Sequence, residues 1–127
     1  TPSGLEDLLV RIHQDWPSIP DIAITENGAA YDDAPDENGQ VNDERRVDYL
    51  VSHLDAVSRA IDKGVPVKAY YYWSLLDNFE WAEGYVKRFG IVYVNFETLQ
   101  RIPKLSATVY SKVIKTNGLV LEEVRKN

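Results

Sequence analysis

Carboxylates and flat aromatic rings are concentrated in one stretch of this chain. Eight of its 14 aromatic residues fall between Tyr70 and Phe89, interleaved with Asp77, Glu80, Glu83, Lys87 and Arg88. An ordinary core strand does not carry such a mixture, because buried charges are costly unless paired. Apolar ring faces beside carboxylates suit a ligand with apolar ring faces of its own and a belt of hydroxyls, which describes a sugar. The plainer reading is a strand running into a solvated acidic loop. A second candidate is Glu26, in Asp21-Ile22-Ala23-Ile24-Thr25-Glu26-Asn27-Gly28. The apolar start reads as a short buried strand and Asn27-Gly28 as a turn, so Glu26 is expected at the strand's C-terminal end. Paired carboxylates do most glycoside hydrolysis. A single Glu closing a short strand fits a structural role equally well.

The elements that must position these residues follow from periodicity and punctuation. Ser3-Gly4-Leu5-Glu6 matches a capping box with Ser3 as N-cap. Leu5, Leu8, Leu9, Ile12 and Trp16 then keep helical spacing up to Pro17, with His13 on the polar side. Residues 29–42 form a long polar loop, of the size that is often functional or mobile. Its acids do not follow the alternating pattern of a calcium-binding EF-hand, so a solvated loop is expected rather than a metal site. From Asp43 to Lys63 the chain reads as a helix with an apolar stripe of Val47, Leu50, Val51, Leu54, Val57 and Ile61. His53 lies off that stripe, and Gly64 and Pro66 stop the helix. Val65 to Leu76 is almost continuously apolar or aromatic, as in a strand buried on both faces. Residues 91–96 suit a short strand or hairpin. Pro103 suits the first turn of a last helix with Leu105, Val109, Tyr110, Val113 and Ile114 inward and Asn117-Gly118 at its end. Residues 119–127 carry no clear assignment.

Alternating helices and strands argue for a parallel sheet with crossover connections. Two main strands cannot cover their own edges, and a (β/α)₈ barrel needs about 250 residues. The 127 residues are therefore expected to be half of such a fold or less, and incomplete as a barrel. Were Glu26 and the Trp73–Glu80 segment both at C-terminal strand ends, they would open onto one mouth, where barrel active sites lie.

Composition narrows the partners. A net charge of −6 argues against nucleic acid, which demands clustered Lys and Arg. No apolar run approaches the ~20 residues of a membrane span, and the basic residues are too scattered for a membrane-surface helix. With no cysteine there is neither a disulfide framework nor a thiolate metal site. No cofactor is expected. A cytoplasmic location fits the missing cysteines. Thr1-Pro2-Ser3 opens almost directly into a helix, as expected of part of a longer chain, so the lack of a signal peptide carries no weight.

The combination of motifs closely resembles the C-terminal part of the family 1 glycoside hydrolases, the β-glucosidase group. The residues that carry the resemblance are Ile24-Thr25-Glu26-Asn27-Gly28 and Tyr72-Trp73-Ser74-Leu75-Leu76-Asp77-Asn78-Phe79-Glu80-Trp81. It continues through Gly84-Tyr85, Lys87-Arg88-Phe89-Gly90-Ile91-Val92-Tyr93-Val94, Arg101-Ile102-Pro103-Lys104 and Ser106-Ala107, and includes Asp43-Glu44-Arg45-Arg46. The resemblance implies a retaining exo-β-glycosidase on a (β/α)₈ TIM barrel, with this chain spanning roughly the sixth helix through the eighth strand and helix as one segment, 1–127, of a single catalytic domain. It implies that Glu26 is the nucleophile that forms a glycosyl-enzyme intermediate. Trp73 would be the platform beneath the glycone, Glu80 the acceptor of hydrogen bonds from its outer hydroxyls, Trp81 a second glycone contact, and Phe89 an apolar wall. A cis peptide at Trp73-Ser74 is also implied.

One departure matters most. The family's general acid/base stands in an Asn-Glu-Pro motif, and that motif is missing from this sequence. General acid/base assistance contributes about 10²–10⁴-fold, so the chain alone is expected to be inactive. Its expected partners are an N-terminal portion of the same barrel, covalent or separate, and a β-glucoside or short β-linked oligosaccharide. The alternative is a non-catalytic sugar-binding or scaffold fragment. Catalysis by Glu26 and Glu80 as an acid pair is set aside, because the resemblance puts Glu80 on substrate hydroxyls.

Overall fold

A computed structural model describes residues 1–118; the unassigned 119–127 lie outside the described residues. The elements run α1 (Pro2–Asp15), β1 (Ile22–Asn27), α2 (Glu44–Asp62), β2 (Val67–Tyr72), a 3₁₀ turn (Trp81–Glu83), β3 (Val92–Val94), β4 (Arg101–Pro103) and α3 (Leu105–Thr116). They belong to two compact units. The first comprises 1–27 and 51–72, the second 28–50 and 73 onward.

In the first unit β1 and β2 pair in parallel, as the alternating order predicts. Ile22 faces Val67, Ala23 faces Ala69, Ile24 faces Tyr70 and Asn27 faces Tyr72, with irregularities between these positions. The core is Leu9, Val57, Ala60 and Val65, with Ile22, Ile24, Val67 and Tyr70 packed against it. Burying Leu9, Val57 and Val65 contributes about 1.5–3 kcal/mol each. Only one face of the strand pair is covered, whereas burial on both faces was expected. Ala23 and Thr25 alternate outward, and Tyr71 is 58% exposed.

The N-cap of α1 is Thr1, not Ser3. The Thr1 hydroxyl accepts from Gly4 N at 3.4 Å, and Pro2 occupies the first turn, where its missing N–H costs nothing. Glu6 closes no capping box. It binds Arg59 Nε and Lys63 Nζ of α2, each at 2.7 Å, and these hydrogen bonds, Lys63 first, hold its carboxyl below the usual carboxylate range. Leu8 and Trp16 of the expected stripe are exposed. On α2 the buried line includes Arg46, Leu50, His53, Val57 and Ala60. His53, off the apolar stripe and so expected at the surface or its boundary, is thus buried, and Ile61 is exposed. The real line keeps the 3.6-residue period but admits a polar residue where the apolar count predicts none.

In the second unit β3 and β4 form an antiparallel hairpin, Val92 opposite Pro103 and Val94 opposite Arg101. Pro103 is therefore a strand residue, and α3 starts two residues later behind Lys104. Ser106 and Val113 are the buried residues of α3, and Ile114 is exposed. Asn117 closes the helix in the left-handed conformation, as the Asn-Gly signal predicts. The expected strand 65–76 stops at Tyr72 because the next residues bond elsewhere. Ser74 N donates to Phe89 O, Ile91 N to Ser74 O, Val92 N to Leu75 O and Asp77 N to Val92 O. The Trp73–Ser74 peptide is cis.

Candidate active site

Within the first unit, Glu26 is the penultimate residue of β1 and is exposed. Its neighbour Asn27 is tied down: the Tyr70 hydroxyl donates to Asn27 Oδ1 at 2.7 Å. Because Asn27 lies opposite Tyr72, the two parallel strands end together. The chain leaves the unit at these two ends, into Gly28 and into Trp73.

The other four expected site residues, Trp73, Glu80, Trp81 and Phe89, belong to the second unit. The bond from Ser74 N to Phe89 O, 3.2 Å, sets Phe89 beside the Trp73–Ser74 peptide. Glu80 and Trp81 stand at the start of a tight turn. Glu80 N donates to Gly84 O at 2.7 Å and Gly84 N to Trp81 O at 3.1 Å. Both Trp81 and Gly84 adopt positive φ, 45° and 57°. Trp81 is a side chain in a region that favours glycine, and it projects into solvent at 86% exposure. Glu80 turns the other way: its Oε1 is buried and has no hydrogen-bond partner among the described residues. A buried carboxylate oxygen normally accepts at least one hydrogen bond. Trp73 is 38% exposed and Phe89 is half-buried. Behind the turn, Phe79 packs edge-on against Tyr85 at 5.5 Å, and Tyr85 lies 4.5 Å from Phe96.

A set of residues with no role assigned from sequence supports this segment. Asp33, Asp43 and Asp77 meet Arg46, Arg88 and Lys104 in one largely buried network. Arg46 binds Asp33 at 2.6 Å and Asp43 at 3.1 Å, and Lys104 binds Asp33 and, at 2.9 Å, Asp77. Arg88 binds Asp77 at 2.7 Å and reaches Val94 O, while its own carbonyl accepts from Arg46. Asp43 also accepts from Ser106 N and Oγ, at 2.8 and 2.6 Å. Three carboxylates against three cations leave no net charge, the condition for burying them. Burial still pushes the Asp33 carboxyl up, against the hydrogen bond and charge of Lys104. Gly90 donates to Asp77 Oδ1 at 3.0 Å, and a Cβ there would sit 2.2 Å from Asp77 N.

The loop expected to be solvated is thus anchored at Asp33 and at Tyr31, whose N donates to Arg88 O. Asp43, Arg46, Asp77, Arg88, Lys104 and Ser106 all fall inside the family-like motifs, and Asp33 alone lies outside them. Which acid meets which base is not visible in a single sequence. Among the described residues, no group of acidic, His or Cys side chains is arranged to hold a metal ion, and no helix is long and apolar enough to cross a membrane.

A parallel strand-helix-strand unit with its candidate acid at a C-terminal strand end is the repeating element of α/β barrels. Comparison with known proteins makes the assignment specific. The sequence profile of glycosyl hydrolase family 1 matches residues 1–119. Beta-glucosidase A of Thermotoga maritima is 52% identical over 118 residues, which cover 93% of this chain and 26% of that protein. Beta-glucosidase A of Acetivibrio thermocellus is 55% identical over 117 residues, covering 92% of this chain and 26% of that protein. The solved structure of the Thermotoga maritima beta-glucosidase in complex with azafagomine superposes with a TM-score of 0.91 at 52% identity, over 94% of this chain and 27% of that one. The chain belongs to glycosyl hydrolase family 1. It spans about a quarter of the length of the relatives it matches, and its fold is part of a (β/α)₈ barrel.

Proposed function

We propose that this chain supplies the nucleophile side of a retaining β-glucosidase site, and that it spans the sixth helix through the eighth strand and helix of the barrel. Glu26 attacks the anomeric carbon and carries the covalent glycosyl intermediate. Trp73 presents its ring surface beneath the glycone, Trp81 contacts it through its indole N–H, Phe89 walls it, and Glu80 accepts hydrogen bonds from its outer hydroxyls. The observation that carries this reading is the buried, unpartnered Oε1 of Glu80 in a family 1 chain. An anionic acceptor held out of water is well matched to sugar hydroxyls, since charge-assisted hydrogen bonds are the strong ones. The general acid/base comes from a further portion of the barrel, because no Asn-Glu-Pro stands in this sequence. The substrate class is a terminal β-D-glucosyl unit, by analogy with the relatives' names.

The test uses the enzyme assembled with its acid/base portion. Glu26→Gly should abolish turnover of an aryl β-glucoside, and added azide should restore it as the α-glucosyl azide, the inverted product expected when the nucleophile is missing. Recovery of the β-azide would assign Glu26 to acid/base work instead and defeat the reading. A second reading is a sugar-binding fragment without chemistry, which the buried, unpartnered Glu80 Oε1 would also serve. Saturable glucoside binding by the chain with no turnover after assembly would support it.

A further inference from the structure

The sequence contains three Asn-Gly dipeptides, Asn27-Gly28, Asn38-Gly39 and Asn117-Gly118, and the structure treats them unequally. Asn-Gly is the dipeptide most prone to deamidation, because glycine leaves the following amide nitrogen unhindered. That nitrogen attacks the Asn Cγ, the Cγ–Nδ2 bond breaks and ammonia leaves. Water then opens the succinimide to aspartate or isoaspartate. The step needs a free-swinging side chain and a backbone that can rotate to bring nitrogen onto Cγ.

Asn38 meets the first condition, and the bonds that hold its backbone lie in an exposed turn. It is exposed in the loop, and its side chain makes no hydrogen bond to the described residues. The turn around it is held by the Asp36 carboxylate, which accepts from Asn38 N and Gln40 N at 2.9 and 2.8 Å, and by backbone bonds from Gly39 N to Asp36 O at 2.9 Å and from Asp36 N to Gln40 O at 2.8 Å. All of these bonds are exposed to water. Gly39 has no heavy atom within 4 Å of where a Cβ would stand. Asn27 meets neither condition. Its backbone is in the ladder opposite Tyr72, and its amide oxygen accepts from the Tyr70 hydroxyl at 2.7 Å. Asn117 caps α3, and Gly118 N donates to Val113 O at 3.0 Å.

We infer that Asn38 is a spontaneous deamidation site of this protein, and that the Tyr70 hydroxyl is a positioning group that keeps the chemically identical dipeptide at Asn27 from reacting. If Glu26 is the nucleophile, as proposed above, that protection has a consequence. Conversion of Asn27 would add a second carboxylate beside it, and the isoaspartate form would lengthen the backbone by a methylene.

The experiment needs no activity, so its outcome is separate from that of the nucleophile assignment. The 127-residue chain is incubated at mildly alkaline pH in buffer and in concentrated urea, and conversion at each Asn is followed by peptide mass mapping. In buffer, Asn38 should convert several-fold faster than Asn27, and in urea the two rates should converge. Tyr70→Phe in buffer should speed Asn27 by about fivefold, the factor one hydrogen bond of ordinary net strength supplies, while Asn38 serves as an internal clock and stays unchanged. Equal rates at Asn27 and Asn38 in buffer would overturn the inference. An unchanged Asn27 rate in Tyr70→Phe would remove the role given to the hydroxyl.

Discussion

Lys104→Met deletes the cation that sits between two carboxylates with almost no access to water. Lys104 and Asp77 side chains are 0% exposed and Asp33 is 5% exposed. Without Lys104 the network holds three carboxylates and two guanidinium groups. Asp77 keeps Arg88 and two backbone N–H donors, and Asp33 keeps Arg46, so neither acid is stripped bare. Removing one partner of a buried ion pair costs about 3–5 kcal/mol, a large share of the ~5–15 kcal/mol stability of a domain. A matched control is Arg11→Met, which breaks the pair with Asp15 where the side chains are 71% and 40% exposed; pairs of that kind are worth about 0.3–0.5 kcal/mol. The sign of the pH dependence is a second handle. Burial already raises the Asp33 carboxyl, so the folded state takes up that proton more readily than the unfolded one. The contribution of such a group is present at low pH and lost as pH rises through its folded value. Losing Lys104 moves Asp33 further up, so the deficit of the variant should narrow as the pH falls from about 7 towards 5. Urea unfolding of parent, Lys104→Met and Arg11→Met at both pH values measures all of this. A Lys104→Met deficit no larger than that of Arg11→Met, or one that widens on acidification, would refute the reasoning.

Gly90→Ala places a Cβ 2.2 Å from Asp77 N and 2.5 Å from Leu76 C; backbone cannot swing aside, and a loss of about 3 kcal/mol or more is expected in thermal melts. Glu6 is held below the usual carboxylate range by Lys63 and Arg59. Its contribution is therefore present above that range and lost as pH falls through its folded value, and Glu6→Gln should flatten the acid limb of the stability profile. Thr1→Val removes a cap bond that is long at 3.4 Å, so the loss should lie near the low end for N-caps, about 0.5 kcal/mol, in the same melts. In the assembled enzyme Glu80→Gln should raise KM for aryl β-glucosides, with a smaller change in kcat.

How far the sequence could be read is clear from particular residues. Parallel pairing of β1 and β2 followed from strand-helix-strand order, and the end of α3 from Asn117-Gly118. The capping box points to Ser3 rather than Thr1 because both residues can cap, and only Pro2, which suits a first turn, discriminates between them. His53 falls outside the apolar stripe because an apolar count cannot register a buried histidine. The strand after Val65 reads too long from sequence because Leu75 and Leu76 continue the apolar run while residues 74–77 exchange β2's ladder for bonds to 89–92. β4 escaped notice because Arg101-Ile102-Pro103 is too short to show a period. Motif resemblance names the candidate site residues, but no motif or spacing marks the ion network behind Trp73–Phe89. Asp33 and Lys104 are 71 residues apart, and no local rule joins them.

The central claim is that Glu26 is the covalent nucleophile. A 2-deoxy-2-fluoro-β-glucoside with a good leaving group, applied to the assembled enzyme, slows breakdown of the glycosyl intermediate so that it accumulates. Peptide mass mapping should then find the fluoroglucosyl group on the segment containing Ile24-Thr25-Glu26-Asn27-Gly28, with fragment ions assigning it to Glu26 and none formed in Glu26→Gln. An adduct on any other residue, formed at an undiminished rate in Glu26→Gln, would contradict the account.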